Sequence, residues 1–401
     1  MKQKRLMLLG GLRYLLPVIE AAHKRGYYVI TCDYLPNNIA HRDSDEYCNV
    51  SIVDKEAVLA VANEKKIDGI MSFAVDPGVI TAAYVQERLG LPQVGPYESV
   101  CILQNKDRFR KFLSDNGFNT PKARGYDDGK DALNDLAGFR FPVIVKPVDS
   151  AGSKGVTKVD SADGFEPAFE YAKKHSISGR VIVEEFIEKQ GCSSDSECFS
   201  VNGKLEFVSF SAQRFDDKAP NPYTPAAFSW PSTFTESQEK ELASELQRLL
   251  SLLNMGTSIY NVETRVGIDG KPYIMEVSPR GGGNRLAEMI RFSKGVDLID
   301  AAVCGAVGEQ IAEIETKPYV GHWAEVILHA YRQGVFMGLK TSREITRYIV
   351  DTDLWIEKGS TVYPFKGANN SIGTVVLNLD NEEMLMGFMQ NLNQNISLEI
   401  I

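Results

Sequence analysis

The amino-acid sequence predicts a multidomain protein of mixed class, an open parallel α/β domain followed by α+β units. Three observations carry this reading. Strands alternate with helices over about the first 95 residues, a strand-loop-strand-helix-strand run begins at Phe141, and an amphipathic helix over 236–254 leads into a hairpin at 258–278 with acids on one face. Strand-helix alternation implies parallel strands joined by right-handed crossovers. Residue-by-residue alternation about a tight turn implies antiparallel pairing.

In chain order, RLMLLG (5–10) reads as a buried strand, Tyr14 to Arg25 as a helix, Tyr28 to Asp33 as a second strand, Glu56 to Lys65 as a helix and GIMSFA (69–74) as a third strand. The Gly10-Gly11 pair lies at a strand-to-helix turn, where backbone can approach a ligand. The full GxGxxG spacing is missing, so a tight turn needing no ligand suffices and no dinucleotide is inferred. Leu91 to Pro96 reads as a linker, followed by one helix through Asn105, Lys106, Phe109 and Phe112. FPVIVKPV, the loop DSAGSKGV and VTKV then give two strands about a flexible loop, and a helix over Phe165 to Lys174 leads to the apolar strand VIVEEFI (181–187). The last 80 or so residues mix strands and a helix without a motif tied to chemistry. No internal repeat or low-complexity tract is present.

Composition narrows the function classes. A chain of 401 residues, 43% hydrophobic and 24% charged, has the balance of a folded globular protein. Its net charge of -9, without a basic run, argues against nucleic acid as a partner. The basic, apolar start is interrupted by two glycines, Arg13 and Pro17, so a strand and a helix explain it better than a signal peptide. No stretch approaches the roughly 18 to 20 apolar residues of a membrane span, and the expected location is cytoplasmic. Six scattered cysteines without CxxC or Cys/His spacing read as reduced thiols.

The most informative segment is SIYNVETRVGIDGKPYIMEVSPR (258–280). Asp269-Gly270 is a strong signal for a two-residue primed turn, and counting outward from it places Glu263 directly opposite Glu276. Asn261, Glu263 and Arg265 then share a face with Glu276, Ser278 and Arg280, while Tyr260, Val262, Val266, Tyr273, Met275 and Val277 form the core face. Like charges directly opposite on a sheet cost roughly 0.2–1 kcal/mol. A hard divalent cation would account for the pair; neutralisation of a solvated face by Arg265 is the alternative.

Upstream, Lys146 interrupts an apolar strand and either reaches water along its stem or meets an anion. Gly152-Ser153-Lys154-Gly155 has free amides and a positive charge with which to fold over phosphates, or is an ordinary surface turn. It does not match the GxxxxGK[ST] motif. Glu184-Glu185-Phe186-Ile187 ends a strand, where departing backbone exposes groups that a flat heteroaromatic base could use.

In this order NKDRFR, FPVIVKP, SAGSKGV, VIVEEFI, NVETR and EVSPRGGGN resemble the ATP-grasp superfamily, in the branch of biotin carboxylase, carbamoyl-phosphate synthetase, glycinamide ribonucleotide synthetase and the L-amino acid ligases. The resemblance implies an N-terminal α/β domain over 1–95, an ATP-grasp fold over 96–310 with a small mobile lid at about 120–190, and a C-terminal α+β lobe over 311–401. It implies that Lys106 and Lys146 bind ATP phosphates, that Ser153, Lys154 and Gly155 close over the triphosphate, and that Glu184 and Ile187 supply the adenine-reading hinge, with Glu185 and Phe186 lining it. Glu263 and Glu276 match the metal carboxylates, for Mg²⁺ or alternatively Mn²⁺. Arg280, with Gly282 beside it, matches the group that meets the acyl phosphate or transferred group. Three departures stand. EVSPR puts Ser278 where an asparagine assists a second metal; GCSSDSE leaves Ser193, Asp195 and Glu197 as candidates for the ribose contact, with Ser193 nearest the hinge; and the C-terminal lobe matches only loosely.

The expected reaction is ATP-dependent: a carboxylate attacks the γ-phosphate, giving ADP and an acyl phosphate, and an amine displaces phosphate, with Lys146, Lys154 and Arg280 offsetting charge. Small-molecule carboxylate and amine substrates are the expected partners, an amino acid among them. A homodimer is the oligomeric state common in the branch. The segment SAQRFDDKAPNPYTPAAFSWPS (211–232) reads as a substrate-covering loop in which Arg214 binds a carboxylate or serves packing. Bicarbonate-driven carboxylation or carbamoyl-type chemistry is the alternative within the branch, disfavoured because no carrier domain follows residue 401. A nicotinamide-dependent oxidoreductase and a non-catalytic nucleotide-binding regulator are the alternatives outside it.

Overall fold

The computed structural model describes residues 3–150 and 152–401; Ala151, within the glycine- and serine-containing loop, lies outside the described residues. Strands are numbered in chain order. Four of them, β1 (Arg5–Leu9), β2 (Tyr28–Asp33), β3 (Glu46–Asn49) and β4 (Gly69–Ser72), form a parallel sheet in the order β3-β2-β1-β4. Its strands read as unbroken apolar runs because both faces are covered. Leu6, Leu8 and Val29 pack on one side, and Met7, Leu9 and Ile30 on the other.

Two elements here escaped the sequence reading. β3 is a short edge strand, EYCN, without an apolar run. The helix Asp76–Leu89 starts with a proline in its first turn, a start signal that was legible. The single helix expected through Asn105 is two, Tyr97–Gln104 and Lys106–Asp115. Asn105 is extended (φ -116°, ψ 113°), and its side chain accepts from the Arg108 N–H, capping the second helix and breaking the first.

The next unit is a four-stranded antiparallel sheet, β5 (Ala123–Tyr126), β6 (Val143–Pro147), β7 (Thr157–Val159) and β8 (Val181–Glu185), in the order β5-β8-β6-β7. The helix Phe165–His175 covers it, burying Phe165, Ala168, Phe169 and Ala172 against Val143, Val145, Val181 and Val183. That i, i+3, i+4, i+7 stripe is what makes the segment a surface helix.

Two larger antiparallel sheets follow. One has the order β10-β9-β13-β14, from β9 (Ser194–Val201), β10 (Lys204–Val208), β13 (Ser258–Val266) and β14 (Pro272–Ser278). The other is β11-β12-β15-β19-β17, from β11 (Ala212–Phe215), β12 (Pro225–Trp230), β15 (His322–Leu328), β17 (Ile349–Leu354) and β19 (Gly373–Leu379). A last sheet joins β18 (Thr361–Val362), β16 (Gly334–Thr341) and β20 (Ile396–Ile400). The expected covering loop is therefore mostly hairpin: β11 and β12 take its ends and leave 216–224 as the loop. The helix Glu236–Leu252, opened by a Thr235/Gln238 capping box, buries Leu242, Leu246, Leu249 and Leu250 against the core side of the acidic hairpin. Its opposite side is thereby left to face the site. All six cysteines are free.

Candidate active site

The hairpin shows how the site is set. The Gly270 N–H donates to the Gly267 carbonyl at 2.9 Å and Gly270 has φ +75°, so the turn is a three-residue loop over Ile268-Asp269-Gly270 rather than the expected two-residue turn. On its own that change would slide the pairing by one. A bulge beyond the Thr264-Ile274 pair leaves Met275 as an extra residue and restores the register, so Glu263 does face Glu276. The offset moves side chains in between. Ile274, not Tyr273 or Met275, joins Tyr260, Val262 and Val277 in the core, and Tyr273 pairs with Arg265 on the site face.

On its other edge β13 pairs with β9, placing Asp195 opposite Glu263 and Glu197 opposite Asn261. Two rows result across three strands, Asp195-Glu263-Glu276 and Glu197-Asn261-Ser278. Glu263 and Glu276 keep 33% and 36% of their side chains exposed; Arg265 Nη2 lies 3.0 Å from Glu263, and Lys106 Nζ lies 3.5 Å from Glu276. Glu197 is fully buried and Asp195 is half-buried. Burial, with the charge of Glu263, pushes Asp195 up to about 7, although Asn261 donates to it at 2.6 Å. Burial pushes Glu197 up to about 8 against the Gly282 N–H, which donates to it at 2.7 Å.

Among the described residues, no group of three or more His, Cys, Asp or Glu side chains is arranged to hold a metal by itself. The exposed Glu263-Glu276 pair nevertheless suits Mg²⁺, which takes one or two carboxylates and fills its remaining positions with phosphate oxygens and water. Ser278 suits a second ion less well: its buried hydroxyl donates to Asp76 at 3.2 Å and accepts from Gln104 at 2.8 Å.

Arg280 is held by Asp76, the first residue of a helix from the N-terminal sheet, through bonds of 2.9 and 2.8 Å, and its third nitrogen donates to the Gly281 carbonyl. Despite burial, Arg280 and Lys106 hold Asp76 below the usual carboxylate range. Lys106 itself donates to the Ser150 carbonyl at 3.0 Å. Lys146 is hydrogen-bonded to Glu184, and Arg110 Nε closes on the same carboxylate at 2.9 Å. Burial raises Glu184, but Arg110 and Lys146 outweigh it and bring it down to about 2. Glu184, expected for its backbone, thus also anchors Lys146 through its side chain. At the end of β8, the Glu185 carboxylate accepts from the Arg140 N–H, the Phe186 N–H donates to Pro142, the Ile187 carbonyl accepts from Arg265 at 3.4 Å, and Lys158 stands 5.2 Å over the Phe186 ring.

Ser153, at φ +58°, donates to the Tyr223 carbonyl at 2.9 Å, while Asn221 reaches the Ser153 carbonyl. The glycine loop is therefore seated on loop 216–224, with Lys154 exposed and Gly155 buried. Ser193 is buried beside Gln213, and its hydroxyl has no partner among the described residues. Arg214 is not brought to the acidic rows. It bonds the Ala212 carbonyl and Ser229, on the opposite face of β11 from Gln213, whose amide reaches Asp195 at 3.4 Å.

A Cβ on Gly282 would sit 2.7 Å from Glu197 Oε1 and 2.8 Å from Asn261 Nδ2. Gly282→Ala is expected to destabilise by about 1–3 kcal/mol, the usual cost of overpacking, as measured by urea unfolding. Beyond it, Asn284 and Arg285 both hold positive φ, +52° and +57°, a conformation rare outside glycine and typical of functional sites.

One group of weight lacked a sequence motif. Glu325 in β15 is fully buried, and neither carboxylate oxygen has a partner among the described residues. Burial first, then the charges of Glu288 and Asp195, raise it well above the usual carboxylate range, with Arg285 opposing. A carboxyl raised on folding contributes no penalty below the unfolded pKa, about 4.5. Stability then falls as pH rises toward the folded pKa, by about 1.4 kcal/mol per unit crossed. The melting temperature of Glu325→Gln relative to native protein is expected to climb from pH 5 to pH 8, and a flat difference would contradict this.

A model of the ATP-grasp domain matches residues 139–288. The chain is 28% identical over 188 residues to a formate-dependent phosphoribosylglycinamide formyltransferase from a Synechococcus species, covering 46% of this chain and 48% of that protein. It is 25% identical over 294 residues to a carbamoyl phosphate synthase large chain from a Thermoanaerobacter species, covering 70% of this chain and 26% of that one. The chain thus spans about half or less of these curated relatives. Over their full lengths, the structure superposes on an L-amino acid ligase from Bacillus licheniformis with a TM-score of 0.82 at 21% identity. The corresponding values for a phosphoribosylglycinamide synthetase from Anaerococcus prevotii are 0.77 and 19%. These likenesses establish the fold.

Proposed function

We propose that this chain, which carries an ATP-grasp domain, is an ADP-forming ligase that activates a small carboxylate as an acyl phosphate and joins it to an amine, an amino acid being the favoured class. The observation that carries the reading is the acidic row Asp195-Glu263-Glu276 with Lys106 at its end. Like charges in register are unfavourable alone and useful where a polyanion and its cation must be held.

In this reading residues 1–95 form the substrate-side domain, 96–310 the ATP-grasp domain with its lid near 120–190, and 311–401 a C-terminal lobe. Glu263 and Glu276 would hold Mg²⁺ or Mn²⁺, which when bound neutralises and orients triphosphate oxygens. Lys106, Lys146 and Lys154 offset phosphate charge, and the amides around Ser153 and Gly155 cover it. The backbone of Glu184 to Ile187 reads adenine, and Ser193 meets the ribose. Arg280 would meet the negative acyl phosphate as it forms, with Gly282 beside it. A carboxylate oxygen attacks the γ-phosphorus as its bond to ADP breaks; the amine nitrogen then attacks the carbonyl carbon as phosphate departs. Fixed charges lower both barriers without a protein nucleophile. A cytoplasmic homodimer completes the proposal. No helix among the described residues is long and apolar enough to cross a membrane.

The test is ATP consumption screened over carboxylates with and without amines, with hydroxylamine added to trap acyl phosphate. ADP, phosphate and a hydroxamate are expected. AMP with pyrophosphate would overturn the reading.

A further inference from the structure

The five-stranded sheet carries one row that neither the ATP site nor the metal pair uses. Its register runs Gln213-Phe228-Glu325-Val376-Asp351 across β11, β12, β15, β19 and β17. At about 4.8 Å per strand, Glu325 stands two strands from Gln213, which contacts Asp195 in the acidic rows, and two strands from Asp351. Asp351 belongs to the wall of a cavity of about 250 Å³ that is also lined by Arg13, Tyr14, Arg285, Glu288 and Trp355. In the order of the row Glu325 lies between that cavity and the acidic face, fully buried behind the cavity wall rather than part of it.

Its surroundings on that row and face are apolar: Phe228, Val376, Trp323 and Ile327. The nearest cation does not serve it. Arg285 commits Nε and Nη2 to Glu288, Nη2 also to Asp351 at 2.7 Å, and Nη1 to Thr374. A carboxyl with both oxygens unpartnered in such a place costs free energy unless a ligand supplies the donors. The missing partner must be compact, positive and rich in N–H groups, and a primary ammonium has three donors on one atom.

We propose that Glu325 anchors the amino group of the second substrate, which enters through the Arg13-Trp355 cavity and is held there beside the acidic rows. This rests on the ligase reading above and adds where its amine binds. Arg13, whose one ion pair among the described residues is a 4.0 Å contact with Asp353 and whose guanidinium stands 6.0 Å over the Trp355 ring, is placed to meet a carboxylate if that amine is an amino acid.

The experiment is a thermal-shift titration with each of the twenty common L-amino acids, and the N-acetyl form of any that binds, in the presence of ADP and Mg²⁺. Native protein, Glu325→Gln and Glu325→Met are compared; methionine matches the apolar neighbours and guards against a folding defect of the amide. At least one amino acid is expected to stabilise native protein and its N-acetyl form is not. Both variants should weaken that amino acid tenfold or more while ADP affinity stays within twofold. Unchanged affinity in the variants, equal binding of the N-acetyl form, or no binding by any amino acid overturns the inference. The hydroxylamine assay needs no amine substrate and judges the ligase reading separately.

Discussion

Glu276→Gln is expected to lower ATP turnover by about 10²–10³-fold, the loss typical when one preorganised electrostatic group is removed, in a protein that remains folded. Glu276 is one-third exposed and faces Glu263 across the hairpin. Removing one of two facing charges relieves repulsion of roughly 0.2–1 kcal/mol, so the melting temperature should hold or rise. Lys106, 3.5 Å away, loses its carboxylate but keeps the Ser150 carbonyl. Turnover near the native rate in a folded Glu276→Gln protein would end the assignment of this pair to a metal.

Glu184→Gln should have the largest effect on stability, about 3–5 kcal/mol, because it strips the counter-charge from buried cations. Arg110 and Glu184 each keep 4% of their side-chain surface exposed and Lys146 keeps 13%. The amide replaces charge-assisted bonds with neutral ones and leaves two positive groups facing each other. Urea unfolding is the measurement, with Glu184→Gln/Lys146→Met expected to recover part of the loss. The acid dependence is a second check. Glu184 is depressed on folding to about 2, so its contribution is complete above about pH 4.5 and is lost as pH falls through 2. The gap between native protein and variant should close over that window, and a gap unchanged from pH 5 to pH 2 would show that the stabilisation lies elsewhere.

What could be read from the sequence was local and periodic. Alternation in 258–278 put Glu263 and Glu276 on one face, and the apolar strands around Lys146 and Glu184 read as strands. The three-residue turn and the bulge at Met275 each shift the register by one residue in opposite senses, so Glu263 still faces Glu276. The polar run Gln104 to Arg108 is as compatible with a solvated helical turn as with a break, and only the cap at Asn105 separates the two helices. In a segment rich in proline and aromatics, Arg214 reads as a carboxylate-binding or a packing residue. Strand alternation instead gives the site side of β11 to Gln213.

The chain by itself determined which short segments carry charge on a defined face, because side-chain alternation and turn chemistry act over a few residues. Tertiary structure decided which of those charges meet. Asp76 reaches Arg280 from 204 positions away, Arg110 reaches Glu184 from 74, and β9 lays Asp195 beside Glu263. Glu325 has no motif around it; its burial follows from sheets that close over it. Coulomb interactions depend on separation in space and on the water excluded between groups, and neither is written in the local order of residues.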